Sequence, residues 1–260
     1  MARQKKRLAP GVSPATLGDL ARTAILWGYF VAAFAAGYWL YFVASMLVSR
    51  PRSAGAQRAI HGFFRGFFVL VGAISPRVTF ELPPRERLAR LRSTVIVANH
   101  QSLLDPPLLL SLLPRASTLV RADFFRVPVF AWVLRACGYA RPRGEEGADW
   151  LDELVDELAR GGNVFLFPEG TRGGGDRLGR FRRGAFHVAR RLGAPIEVLR
   201  IDGTARVFPP GGRALRLGRP ARISVRLLGG ISSEEVASAA DTESLMRRVR
   251  ALLEDAAPAP

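Results

Sequence analysis

The chain has 260 residues, 48% of them hydrophobic and 23% charged, a balance that excludes both a disordered polypeptide and a polytopic membrane protein. Its 38 basic against 22 acidic residues leave a formal charge of +16, which calls for an anionic partner, either nucleic acid or an acidic membrane face. A single cysteine, Cys137, excludes an intramolecular disulfide framework and a cysteine-rich zinc site, and three histidines are too few for a His-rich metal cluster.

Residues 1–23 read as a basic N-terminal tail carrying Arg3, Lys5, Lys6 and Arg7. From Ala24 to Val48 no charged residue occurs. As one helix this run spans about 37 Å, more than a hydrocarbon core of about 30 Å. Trp27, Tyr29, Tyr38, Trp39 and Tyr41 add aromatics suited to membrane interfaces. A retained membrane helix is therefore expected; a cleaved signal peptide, with its shorter apolar region, is the alternative. Ile60 to Ile74 is shorter and interrupted by His61 and Arg65, which predicts an interfacial or re-entrant helix. Arginines 50, 52, 58 and 65 nearly balance the basic residues before the first segment. This fits a hairpin over 24–76 with both ends on one side, although a single crossing is also compatible.

From residue 77 to 255 the pattern is that of an α/β domain, followed by a frayed tail at 256–260. Strands are predicted at Arg77–Leu82, Ser93–Asn99, Asn163–Phe167, Ile196–Ile201 and Ile223–Leu228. Helices are predicted at Pro106–Leu113 with Asp105 as N-cap, and at Asp149–Gly161, Ala185–Leu192 and Thr242–Leu253. Strands alternating with helices imply a largely parallel central sheet covered by helices, with ligands at the carboxyl ends of the strands.

Two segments occupy that position. The first, NHQSLLD, carries Asn99, His100, Ser102 and Asp105 after the second strand. On one regular helix His100 and Asp105 would point about 140° apart. At a strand–loop–helix junction the loop can instead fold His100 back onto the carboxylate. Asp105 would then hold one ring nitrogen and leave the other as a proton acceptor for a hydroxyl. Read alone, the same residues also fit a helix cap beside an incidental histidine. Ser102 lacks the flanking glycines of a nucleophile elbow, so capping suits it better. The second segment, FPEGTR, runs from Phe167 to Arg172 and offers backbone N–H groups, a hydroxyl and a guanidinium suited to phosphate. Alone it would equally be a glycine-rich surface turn. Arg180, Arg182 and Arg183 follow around Phe181.

NHQSLLD and FPEGTR, in this order and spacing, resemble the 1-acylglycerol-3-phosphate acyltransferase family, the lysophosphatidic acid acyltransferases and relatives, over about Ser93 to Thr204. The resemblance implies acyl transfer from acyl-CoA or acyl-carrier protein to a lysophospholipid hydroxyl, giving phosphatidate, with no metal and no cofactor beyond that co-substrate. It implies His100 as base, Asp105 as its orienting partner, and Glu169, Gly170, Thr171 and Arg172 around the acceptor phosphate. Between the motifs, Arg121 stands where the family commonly has lysine, and Gly138 leads to Arg141 and Arg143, which become further candidate phosphate ligands. The Arg-Pro-Arg ending and the single proline Pro195 before Ile196 depart from the family pattern. The run Leu108–Leu113 with Phe124, Phe125, Phe130 and Trp132 is expected either to line an acyl groove or to form core. The charge then serves an anionic membrane surface, with the catalytic domain on the cytoplasmic side of the cell membrane. No nucleic-acid-binding signature accompanies it, so nucleic acid is not an expected partner. Two alternatives remain at this level: the same chemistry on another lyso-lipid acceptor, or an inactive basic membrane-binding protein.

Overall fold

The computed structural model describes residues 16–35, 38–48, 52–142, 149–172, 178–212 and 214–256. Three helices lead the described chain: α1 (Leu17–Ala35), α2 (Tyr38–Val48) and α3 (Arg52–Ile74). They are followed by β1 (Val78–Glu81), α4 (Arg85–Ala89), β2 (Val95–Ala98), α5 (Asp105–Leu112) and β3 (Ala116–Thr118). A 3-10 turn at Ala122–Arg126 leads into α6 (Pro128–Ala136), then α7 (Asp149–Ala159), β4 (Asn163–Leu166) and α8 (Gly184–Leu192). The chain closes with β5 (Ile196–Asp202), α9 (Thr204–Val207), β6 (Ala221–Ile231), α10 (Ser233–Ser238) and α11 (Thr242–Asp255).

The six strands form one sheet in the order β1-β6-β5-β2-β4-β3. Strands β5, β2, β4 and β3 run parallel, β6 is antiparallel to β5, and β1 is parallel to β6. The expected α/β fold with a largely parallel sheet is therefore present. Its centre is the β-branched run of β2, buried at every position, as a strand covered on both faces must be. Alternate residues feed two cores: Ile96 and Ala98 pack with Leu108, Leu109 and Leu199 on one face, while Val95 and Val97 pack with Leu154, Leu158 and Phe186 on the other.

The N-terminal region departs from expectation. The uncharged run Ala24–Val48 is divided between α1 and α2, and no helix among the described residues is long and apolar enough to cross a membrane. α1 begins at Leu17, inside the stretch read as a basic tail, and it carries charge. Asp19 accepts the Gly218 N–H at 2.6 Å, the Arg22 guanidinium donates to the Ile74 carbonyl at 3.2 Å, and Thr23 accepts the Leu215 N–H at 3.0 Å. These bonds fasten α1 to the α/β region, and Leu26 and Phe42 join the same core as Ile96 and Leu108. Part of the apolar run is thus protein core. Leu108–Leu113 is also core rather than groove, whereas Phe124, Phe130 and Trp132 are exposed.

Candidate active site

Because β5, β2, β4 and β3 are parallel, the segments leaving them emerge along one edge of the sheet: Gly203-Thr204, Asn99-His100, Phe167–Arg172 and Val120-Arg121. Asn99 locks the first two together. Its side-chain amide donates to the Ile201 carbonyl at 2.8 Å and accepts the Ile201 N–H at 2.7 Å, continuing the β2–β5 ladder where the strand ends.

His100 and Asp105 meet here. Nδ1 lies 2.8 Å from Asp105 Oδ2, with the imidazole 15% exposed and the carboxylate fully buried. The same oxygen accepts the N–H groups of Gln101 at 2.6 Å and Ser102 at 2.7 Å, and Oδ1 accepts the Thr204 hydroxyl at 2.6 Å. An ionised carboxylate with its lone pairs so filled requires Nδ1 to carry the proton, which leaves Nε2 as the basic nitrogen. The ring is held on a second side by Phe167, stacked at 4.2 Å between centroids and 18° from parallel.

Asp105 is not the N-cap of its helix, as the sequence suggested. Leu104 occupies that place without a side-chain bond, and Asp105 is the first residue of α5. The next two residues, Pro106 and Pro107, have no N–H to offer, so the carboxylate turns back to the loop donors instead. Ser102 is no nucleophile either: its buried hydroxyl donates to the Phe208 carbonyl at 2.6 Å and accepts the Leu104 N–H at 3.2 Å.

The second motif lies alongside. Glu169 is buried, with Oε1 accepting the His100 N–H at 3.0 Å and Oε2 accepting the Gly179 N–H at 2.8 Å. Expected around a phosphate, it instead spends both oxygens tying the two loops together, and an acceptor-only group has no donor to give an anion. Gly170 closes a turn back to the Phe167 carbonyl with φ of +64°, a conformation suited to glycine. The Arg182 side chain covers this turn: a Cβ on Gly170 would stand 2.7 Å from Arg182 Nε. Thr171 is exposed and Arg172 half-buried beside it. The result is a turn covered by the Arg182 side chain and followed in the chain by Arg172, next to a histidine with a free lone pair.

The family model described as Acyltransferase matches residues 80–201. The chain is 35% identical over 126 residues to the chloroplastic 1-acyl-sn-glycerol-3-phosphate acyltransferase BAT2 of Brassica napus, covering 46% of this chain and 36% of that one. The corresponding LPAT1 of Arabidopsis thaliana is also 35% identical, over 46% of this chain and 35% of its own. The chain therefore spans about a third of the length of these curated relatives. Among solved structures, the 1-acyl-sn-glycerophosphate acyltransferase PlsC from Thermotoga maritima has the same fold, with a TM-score of 0.71 over 91% of this chain and 95% of that one, at 20% identity. Over residues 80–201 the chain is thus similar to the 1-acylglycerol-3-phosphate acyltransferases.

Arg121 and Arg141, the other expected phosphate ligands among the described residues, make contacts of their own. The Arg121 guanidinium is exposed and bonded to Asp123 at 2.7 Å. Arg141 lies over the Phe125 ring, 5.6 Å from its centroid, in a cleft of about 270 Å³ shared with Arg135, Tyr139, Glu153 and Asp156. Arg143 falls outside the described residues. Reading the sequence missed Thr204, Phe167 and Gly179 as parts of the site. Only Phe167 carried a local signal, as the last residue before the FPEGTR turn; Thr204 reaches Asp105 from 99 residues away.

Proposed function

We propose that the protein transfers a fatty acyl group from acyl-CoA or acyl-carrier protein to the hydroxyl of 1-acylglycerol-3-phosphate, giving phosphatidate. The carrying observation is the His100–Asp105 bond at 2.8 Å beside the Gly170 turn. In this reading the acceptor hydroxyl gives its proton to His100 Nε2 as its oxygen attacks the thioester carbonyl. Asp105, held by three further donors, keeps the ring oriented and stabilises the imidazolium. The tetrahedral intermediate collapses with loss of the thiolate, which takes the proton from Nε2. The new ester C–O bond thus replaces the C–S bond, and the thiol leaves neutral. A positioned base of this kind contributes about 10²–10⁴-fold. Arg172 and Arg182 supply the charge that holds the acceptor's phosphate, a role suited to planar donors.

The reaction is placed at an anionic membrane surface, on the cytoplasmic side of the cell membrane. Supporting this are the charge of +16 and the exposed apolar side chains Trp27, Val31, Trp39 and Leu40 along α1 and α2. The test is mass spectrometry of lipids formed from defined lysophosphatidate and acyl donor. Wild type is expected to form phosphatidate and His100→Ala to lose it. Full activity in His100→Ala would remove the mechanism, and equal use of acceptors lacking phosphate would reassign the acceptor.

A further inference from the structure

The segment between β3 and α7 has no place in the mechanism above and is unusual in itself. α6 reads PVFAWVLRA, apolar on every side except Arg135. A helix of that composition is ordinarily buried. Here only Ala131 is fully buried. Val129 is 49% and Phe130 51% exposed, and Trp132, Val127 and Phe124 stand in solvent with them. These apolar side chains are contiguous along the turn and the helix, and Arg121, Arg126 and Arg135, all exposed, lie among them, the first two sharing the single acid Asp123.

Two placements identify what covers this surface. The Trp132 ring meets Phe42 of α2 at 5.1 Å, so the patch continues into the exposed row Trp39, Leu40 and Val48 of the N-terminal helices. The segment also begins directly after Arg121, at the sheet edge that carries His100 and Glu169. Apolar side chains interspersed with arginines, without a run of acids, match the acyl boundary and phosphate layer of a bilayer leaflet.

We propose that residues 122–136 form a second membrane-contacting surface, inserted into the acyl–headgroup boundary of an anionic monolayer beside α1 and α2. This deepens the membrane placement given above and rests on it. Two separate elements then contact one leaflet, which fixes the sheet edge at the depth of the lipid phosphates. A lysolipid enters the site sideways from the leaflet without crossing water.

The experiment is sedimentation of the full chain with vesicles of equal parts phosphatidylcholine and phosphatidylglycerol. Wild type is compared with Val127→Ser/Val129→Asp and with the conservative Val129→Leu. Both valines face solvent, so thermal unfolding is expected to be unchanged and reports any misfolded variant. The double variant is expected to bind vesicles at least about tenfold more weakly. Val129→Leu should bind like wild type. Activity on vesicle-embedded lysophosphatidate should fall in the double variant, while activity on a short-chain lysophosphatidate dissolved as monomers should not. Unaltered sedimentation of the double variant overturns the proposal. So does a wild-type dimer in gel filtration that the same variant converts to monomer, since the patch would then be an interface between copies. If wild type ignores vesicles yet acylates the dissolved substrate, the membrane surface fails and the acyl-transfer reading survives. Val129-dependent sedimentation without any acyl transfer gives the converse.

Discussion

Four hydrogen bonds end on the Asp105 carboxylate, and none comes from its own helix, because the positions that would donate are prolines. That arrangement makes the charge of Asp105, and not merely its size, the requirement. Asp105→Asn removes that charge: with its oxygen toward Nδ1 and the two loop N–H groups the amide N–H can be taken by the Thr204 hydroxyl, but a neutral group no longer stabilises the imidazolium. It is expected to lower kcat by about 10²–10⁴-fold and to reduce the melting temperature. Turnover of dissolved lysophosphatidate and a thermal melt check both halves. Gly170 gives a complementary case, in which the effect passes through a neighbour. An added Cβ at φ +64° meets Arg182 Nε at 2.7 Å and pushes the guanidinium off the turn. Gly170→Ala is expected to raise KM for lysophosphatidate about tenfold with a smaller change in kcat, and steady-state kinetics alongside Arg182→Ala test it. Should Arg182→Ala leave KM unchanged, the assignment of that arginine to the phosphate is wrong.

At the scale of elements, α3 is a strut between the N-terminal helices and α5, which begins with Asp105. His61 on α3 has Nδ1 2.9 Å from the Leu110 carbonyl, so the neutral ring donates from that nitrogen. Burial holds its pKa below the ordinary 6.5, with Arg65 and Arg85 pushing the same way and the Leu110 carbonyl opposing them. The unfolded chain therefore binds a proton more readily than the folded one in the interval below pH 6.5. Stability from this group is complete above that pH and is lost as pH falls through the depressed value. Denaturant midpoints measured downward from pH 7 should show this loss, and His61→Gln should flatten it. Gly203 is the other element-level constraint. It ends β5 at φ +83°, and a Cβ there would lie 1.9 Å from the Arg222 carbonyl oxygen. Gly203→Ala is expected to cost more than about 2 kcal/mol, and it loosens Thr204 from Asp105 at the same time. A chemical melt reads the first effect and kcat the second.

For the molecule as a whole, an arginine-rich surface beside exposed aromatic and aliphatic side chains predicts salt-sensitive attachment. Vesicle binding should weaken between 0.15 and 1 M salt, as the screening length shrinks from about 8 Å to about 3 Å, but persist in part through apolar burial. Complete loss would assign attachment to charge alone. Periodicity was sufficient for β2, β4, β5, α7, α8 and α11, because each is long enough, or apolar enough, for local pattern to state its burial. It was insufficient for β3, three residues long, and for α6, whose apolar sequence is read equally well as core, groove or surface. The two motifs could be recognised as neighbours of strand ends, and the residue types in them limited the chemistry to a base and an anion seat. The pairing of Asp105 with His100, five residues away, was legible, but what Glu169 and the second Asp105 oxygen bond to was not, since those donors lie 10 to 99 residues distant. The same holds for Ala24–Val48. Hydropathy measures transfer from water but does not name the apolar phase, so a lipid core and a protein core look alike until the chain folds. Composition and local order thus determined the strands, the basic surface and the paired His100 and Asp105. Tertiary structure alone decided which distant hydroxyl completes the carboxylate, which arginine covers the turn, and which apolar residues were left facing outward, because each depends on contacts between segments remote in sequence.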